Sequence, residues 1–202
     1  MCGKLCAVAS NSALSCCHCP CRGCNIIDKS RPSISRGTMR DNLPSSICLD
    51  PIGMIHTPFQ QASGTPIQSA MGGEIEATIE INAEYAAGLR DLEGIERLWL
   101  IYFLHRAAEP NLLVRPYLDP TERGVFATRA PSRPNQLGLS CVRLLRVEQN
   151  RLIVSEIDIL DQTPLLDIKP YVPDFDSFPT SRTGWYEGRT GQSAVADQRF
   201  TV

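Results

Sequence analysis

LSCVRLLRVEQNRLIVSEIDIL, residues 139–160, reads as two strands and the turn between them. Leu139 to Val147 and Leu152 to Leu160 are strand-like apolar runs, separated by Glu148, Gln149, Asn150 and Arg151. This is the clearest hairpin in the chain. Upstream, Glu74 to Ile81 alternates strictly, with Ile75, Ala77, Ile79 and Ile81 facing one way and Glu74, Glu76, Thr78 and Glu80 the other. That period predicts a half-buried strand. Asn82 is then placed to cap a short helix through Ala87 that Gly88 stops. Arg97 to His105, RLWLIYFLH, is continuously apolar between polar ends, which predicts a strand buried on both faces. Long helical periods are missing. Several short strands joined by Pro- and Gly-rich turns predict an all-β sandwich or barrel of roughly 130 residues.

The rest of the chain falls outside that body. Residues 1–50 mix Cys, Ser, Pro and Arg without a lasting apolar period and are expected to be largely disordered. This reading divides the chain into a leader (1–49), a β-domain (50–178) and a tail (179–202) in which Trp185 and Tyr186 anchor onto the body. The longest apolar run, Leu98 to Leu104, is far below the ~20 residues needed to span a bilayer. No continuous apolar segment suggests secretion, so a cytoplasmic protein without a membrane is expected. A net charge of −2 argues against an evenly basic nucleic-acid binder. Its distribution is uneven. Between residues 115 and 151, seven arginines stand against three carboxylates, a local +4 that suggests an anionic partner at one face. The alternative is that several of them pair with the glutamates of residues 74–84.

Seven of nine cysteines lie within the first 24 residues. Cys16, Cys19, Cys21 and Cys24, with His18 between the pairs, have thiolate spacings that can share one soft metal. Structural zinc sites separate the two pairs by a longer loop, and iron–sulfur spacings do not match. Equally, Met39 can be the true start, leaving those cysteines untranslated. Cys141, within an apolar run, is expected to be an inert buried thiol. Neither a GxGxxG nor a Walker sequence is present, and there is no Ser-centred nucleophile elbow.

Two segments carry chemistry. FATRAPSRPNQLGLS, residues 126–140, follows a β-like run, Gly124 to Thr128, and sets Arg129 and Arg133 among Pro131, Pro134 and Gly138. Each proline fixes φ and removes an N–H, so a stiff loop holds two guanidiniums and the Asn135 and Gln136 amides in set directions. Such a loop suits multi-donor recognition of a carboxylate, phosphate or nucleobase; the alternative is a solvated surface connection. In IDILDQTPLLDIKPY, residues 157–171, a strand delivers Asp158 and Asp161 into a Pro-containing turn, with Asp167 beyond. Together the two segments suggest a bipolar pocket for a zwitterion with a second positive centre. Plain turn chemistry, with Asp161 as an Asx-type cap, is the alternative.

At these residues the chain resembles the TsaA-like family, which includes an S-adenosylmethionine-dependent tRNA N6-threonylcarbamoyladenosine methyltransferase. The resemblance spans about Ile52 to Phe178. It rests on IGMIHTPF (52–59), GLRDLEGIERLWLIYFLH (88–105), GVFATRAPSRPNQLGLS (124–140) and DILDQTPLLDIKPYVP (158–173), and GWYEG (184–188) resembles the ending of short members. It implies a small β-barrel that binds S-adenosylmethionine at a homodimer interface. Pro66, Ile67 and Gln68 match the family's Pro-Arg-Gln cofactor turn. Leu104 and His105 match an aromatic-His pair, Arg129 and Leu139 match contacts in the Arg/Pro loop, and Ile159, Leu160, Asp161 and Gln162 match the strand-end turn. Ile67 replaces the usual arginine, and Leu104 the usual aromatic.

The resemblance implies methyl transfer to N6 of threonylcarbamoyladenosine beside the anticodon in tRNA. His105 and Asp161 are then candidate general bases, unless the substrate's own carboxylate generates the N6 anion. Arg133, Asn135 and Lys169 are candidates for grasping the substrate carboxylate or tRNA phosphates. Two other functions remain open: a non-catalytic S-adenosylmethionine- or RNA-binding module, with Ile67 marking lost activity, and a metal–thiolate protein working through its leader.

Overall fold

The computed structural model describes residues 5–8, 46–189 and 195–201. The chain divides into two compact units. Within the smaller, Leu5–Cys48, β1 (Leu5–Val8) and β2 (Ser46–Leu49) pair as a two-stranded sheet, β2 running one residue past the boundary. Cys16, Cys19, Cys21, Cys24 and Met39, on which the metal and start-site expectations fall, lie outside the described residues. Among the described residues, no group of His, Cys, Asp and Glu is arranged to hold a metal, and no helix is long and apolar enough to cross a membrane.

The larger unit is built on a closed barrel. In chain order its strands are β3 (Gly53–His56), β4 (Ala77–Ile81) and β5 (Arg97–Phe103), then, beyond a short β6–β7 ribbon (Leu113–Val114 and Arg123–Gly124), β8 (Leu137–Glu148), β9 (Arg151–Ser155) and β10 (Thr163–Pro170). They close in the order β10-β3-β4-β9-β8-β5, every pair antiparallel. Closure leaves no unpaired edge to recruit another chain. The hairpin at 139–160 is β8–β9, with Glu148 opposite Arg151 and a tighter turn than the four-residue one expected. Gln149 takes a positive φ there, and Asn150 is tied to Ile81 through both backbone and side chain. Two long strands turn the corners of the barrel. β8 pairs with β5 along its first half and β9 along its second, with a register shift between Leu144 and Arg146; β10 shifts between Leu165 and Asp167. Such irregularities add local bend and twist, which closure requires.

Inside lie Ile55, Ile79, Leu98, Leu100, Val142, Leu152, Val154, Ile157 and Leu165, all fully buried. Each contributes about 1.5–3 kcal/mol by leaving water. β5 is not buried on both faces as its apolar run predicted. Leu98, Leu100 and Tyr102 point inward, whereas Trp99, Ile101 and Phe103 are only half-buried outside, Trp99 packing edge-on against Tyr171 at 5.7 Å. The strand at 74–81 is also shorter than its alternation suggested. Gly73 turns at positive φ and its carbonyl accepts from the Glu156 N–H, so pairing begins at Ala77 and Ile75 stays 40% exposed. Asn82 precedes a 3-10 helix, Ala83–Leu89, that runs through Gly88; its side chain donates to the Pro51 carbonyl instead of capping. Past Gly124 the expected β-run tightens into a 3-10 turn, Val125–Ala127, because Val125 is drawn into a second cluster with Val114, Ala130 and Phe200. Cys141 faces outward, half-buried, and not fully buried as expected; burial still pushes its thiol pKa up.

Candidate functional site

A cavity of about 710 Å³ opens at the end of the barrel where β5 leaves and β8 enters. Its walls come from segments far apart in sequence: residues 65–71, 102–107, 116–118, 128–133, 137–139, 158–160 and the tail. Antiparallel closure brings them together. β5 ends at Phe103 opposite Leu137 of β8, so residues 104–107 and 128–136 emerge side by side, while Thr163 of β10 delivers residues 158–160 between them and β3.

Within the Arg/Pro loop, the two arginines have different tasks. The Arg133 Nη1 group donates to the carbonyls of Val125, Thr128 and Ala130 at 3.0–3.3 Å, so this side chain holds the loop's own backbone. Gln136, at positive φ, donates to the carbonyls of Ala107 and Ala108, and its own carbonyl accepts from the Leu104 N–H at 2.8 Å. The loop is thereby fastened to the segment carrying His105. Arg129 reaches the other way, donating to Gln68 Oε1 at 2.6 Å. Of the seven arginines in 115–151, five are within 4.0 Å of a carboxylate, and two of these meet Glu76 and Glu80, as the pairing alternative foresaw. Arg129 and Arg133 are not among the ion-paired residues described.

Asp158 lines the same cavity as Arg129. Ser140 Oγ donates to its Oδ1 at 2.6 Å, and Ser140 Oγ lies 2.9 Å from Tyr102 Oη, which makes Tyr102 the donor in that pair. The Tyr102 ring lies across Gly138, its partner in the β5–β8 register; a Cβ there would coincide with ring atoms. Burial pushes the Asp158 carboxyl up to about 6, against the lowering effects of Ser140, its own N–H, Arg129 and the Ser69 N–H. Asp161 behaves differently. It accepts from the Thr57 N–H at 3.0 Å and from Gln60 Nε2 at 2.9 Å, 3.8 Å from His56 Nδ1. Burial works to raise its pKa, but bonds from Gln60, Thr57 and Gln162 hold it below the ordinary range. It does not line the cavity.

His105 also lines the cavity. Thr163 Oγ1 donates to the Leu160 carbonyl at 2.7 Å and lies 3.3 Å from His105 Nδ1, so it can only accept from the ring. That fixes the proton on Nδ1 and leaves the Nε2 lone pair unpaired, the one buried side-chain N or O among the described residues without a partner. Burial first, and Arg106 second, lowers the His105 pKa, keeping the ring neutral at pH 7.

The tail completes the wall. Residues 195–201 bridge to both flanks, with Pro66 opposite Val195 and Ala107 opposite Thr201. Trp185 Nε1 donates to the Ala127 carbonyl at 2.8 Å, Arg123 lies over its ring, and it stacks on Tyr186 with 3.8 Å between centroids. Of the residues singled out in the sequence, Pro66, Ile67, Gln68, Leu104, His105, Arg129, Arg133, Leu139, Ile159 and Leu160 line this one cavity. Asp161, Gln162, Asn135 and Lys169 do not. Asn135 is exposed, and Lys169 is paired with Asp167 at 2.8 Å, opposite Trp99 along β10. Sequence reasoning left out Tyr102, Met71 and the tail residue Phe200; it named Gly138 only as part of the stiff loop, and of the two aspartates it placed in the acidic turn, Asp158 lines the cavity and Asp161 does not. The unusual spacing of a glycine and a small hydroxyl, Gly138 and Ser140, within an otherwise bulky strand was the available signal.

Comparison with known proteins follows this geometry. The tRNA-methyltransferase O N-terminal domain family matches residues 54–177. A probable S-adenosyl-L-methionine-binding protein of Pyrococcus abyssi is 50% identical over 160 residues, covering 78% of this chain and 87% of that protein. A mouse tRNA (adenine(37)-N6)-methyltransferase is 34% identical over 141 residues, covering 65% of this chain and 32% of the mouse protein. The crystal structure of TrmO from Pseudomonas aeruginosa superposes with a TM-score of 0.58 at 37% identity, covering 68% of this chain and 61% of that one. The chain thus spans about three fifths of the solved structure and a third of the mouse enzyme.

Proposed function

This chain belongs to the tRNA-methyltransferase O N-terminal domain family, and from that premise we propose that it is an S-adenosylmethionine-dependent methyltransferase acting on adenine N6 in tRNA. More finely, we assign the acceptor as N6 of threonylcarbamoyladenosine beside the anticodon. The observation that carries the reading is the single cavity in which Gln68, His105, Arg129 and Asp158 converge. Its volume is in the range of small-molecule sites, and its cation and anion suit a zwitterion. The buried, unpartnered His105 Nε2 is a polar atom that a ligand donor would satisfy.

When bound, S-adenosylmethionine supplies an electrophilic methyl group for in-line displacement, a reaction dominated by positioning and exclusion of water. Arg129 offers its guanidinium to a ligand carboxylate, a role sharpened by Ile67, which places no charge in the neighbouring turn. The aliphatic walls, Leu104, Leu139, Ile159 and Leu160, keep water from the reacting centre. N6 of the acceptor is a weak nucleophile until its proton leaves. His105 Nε2 is our candidate to take that proton at neutral pH, because Thr163 holds the other ring proton in place. Asp161, committed to Thr57 and Gln60, is the weaker candidate.

A homodimer completes this reading. Leu112, Leu113, Phe126, Leu137 and Leu139 are exposed large apolar side chains, and Leu137 and Leu139 also line the cavity, Leu139 remaining 56% exposed. A second copy packed there would cover them. The test is mass spectrometry of tRNA nucleosides after incubating hypomodified tRNA with the protein and S-adenosylmethionine. A threonylcarbamoyladenosine nucleoside heavier by one methylene supports the reading. Methylation of a different nucleoside refutes the finer assignment, and cofactor binding with no methylated nucleoside at all supports a non-catalytic binding module instead.

A further inference from the structure

We infer that Asp158 is the carboxylate that receives the α-ammonium group of the bound amino-acid moiety, an assignment that rests on reading the cavity as an S-adenosylmethionine site. Asp158 lines the cavity, yet among the described residues no Lys, Arg or His lies within ion-pair distance of it. Its side-chain hydrogen bond comes from an uncharged donor, Ser140 Oγ, itself held by Tyr102 Oη. These bonds orient the carboxylate without neutralising it. Asp158 is half-buried and the Arg129 charge reaches it only from beyond ion-pair distance, so a ligand cation in direct contact is the natural partner.

The chemistry favours the ammonium over the sulfonium. An ammonium group presents three N–H donors that a carboxylate accepts; a sulfonium presents none. A carboxylate beside the reactive methyl would also compete with N6 as the nucleophile. Arg129 lines the same cavity and is anchored on Gln68, next to the Ser69 N–H that reaches Asp158, so one cavity offers a cation and an anion to the two ends of an amino acid. Other groups facing Asp158 are Tyr102 from β5, Ser140 from β8, the Ser69 N–H from the 3-10 turn at Ser69–Met71, and Arg129 from the loop; His105 lines the same hollow. Burial raises the Asp158 carboxyl to about 6, so proton and ligand compete for it just below neutrality.

Calorimetry on the full chain with S-adenosylmethionine, S-adenosylhomocysteine and 5′-methylthioadenosine tests this, because the third lacks the amino-acid moiety and the second lacks the positive sulfur. Asp158→Asn is expected to weaken the first two about tenfold or more and leave the third within about twofold, the loss of a charge-assisted bond. Equal losses for all three ligands, a loss confined to S-adenosylmethionine, or no loss would each overturn the assignment. If the wild-type chain binds none of the three, the cofactor reading of the cavity fails instead. Should Asp158→Asn not fold, the wild-type pH series decides. Affinity for the two amino-acid ligands should fall from about pH 7.5 to about pH 5, that for 5′-methylthioadenosine should not, and His105→Gln should keep the difference. Parallel curves for all three ligands, or a difference abolished in His105→Gln, would refute it.

Discussion

Gly138→Ala is the most revealing single substitution, because one methyl group would strike the wall that shapes the cavity. The added Cβ falls on the Tyr102 ring, whose backbone is locked to residue 138 by the β5–β8 register. The ring is 6% exposed and cannot swing away without breaking its bond to Ser140 at 2.9 Å. Overpacking of this kind costs about 1–3 kcal/mol, and the lost hydrogen bond adds about 1 kcal/mol. The sum, about 2–4 kcal/mol, corresponds to a melting temperature lower by roughly 4–16 °C in a domain of this size. Differential scanning calorimetry measures it directly. A double-mutant cycle isolates the cause: with Tyr102→Leu in place, Gly138→Ala should cost less than about 1 kcal/mol. A single mutant melting within about 1 °C of wild type, or an undiminished cost beside Leu at 102, would refute the argument.

Arg129→Ala should leave the melting temperature nearly unchanged and weaken S-adenosylmethionine binding roughly 10- to 100-fold, since a guanidinium–carboxylate bond contributes about 1.5–3 kcal/mol; equal affinity by calorimetry would contradict the site. Arg133→Ala should instead destabilise the fold by about 1–3 kcal/mol, because three carbonyls lose their donor, and a purely tRNA-specific defect with normal thermal stability would contradict its holding role. Methyl transfer should fall as pH drops below the ordinary histidine value of 6.5, because His105 acts in its neutral form and its pKa is lowered; an acid limb unchanged in His105→Gln would count against it. Asp158 titrates near 6 when folded against an ordinary 3.8, so the folded state holds that proton more tightly. The stability this confers is present below about pH 4 and lost by about pH 6. Asp158→Asn should therefore raise the unfolding free energy at neutral pH by on the order of 1–3 kcal/mol, seen as a higher melting temperature, and not at about pH 4; a lower melting temperature at neutral pH would contradict it.

Much of the barrel was legible because its strands carry strong periods and its turn at Gln149 and Asn150 is polar between apolar runs. What the sequence concealed has physical causes. β5 looked buried on both faces because loops and Tyr171 half-cover its outer side, a tertiary effect that no local pattern records. Gly124 to Thr128 looked extended, but the pull of Val125 into the cluster with Phe200, 75 residues away, tightens it. For the site, the stiff Arg/Pro loop was evident, whereas the division of labour between its two arginines was not. Both look alike in sequence; only the carbonyls around Arg133 distinguish them. The choice between Asp158 and Asp161 turns on which way a chain bends after leaving a strand. Glu156 and Gln162 adopt positive φ on either side of that bend, which neither residue type announces.

The cavity between the Arg129 loop and the Asp158 strand end is the heart of the account, and a crystal structure of the full chain soaked with S-adenosylmethionine examines it most directly. Density for the cofactor should lie in that hollow, its amino-acid end between Arg129 and Asp158 and a donor atom on His105 Nε2. Well-defined cofactor density elsewhere on the barrel, with this cavity containing only solvent, would contradict the account.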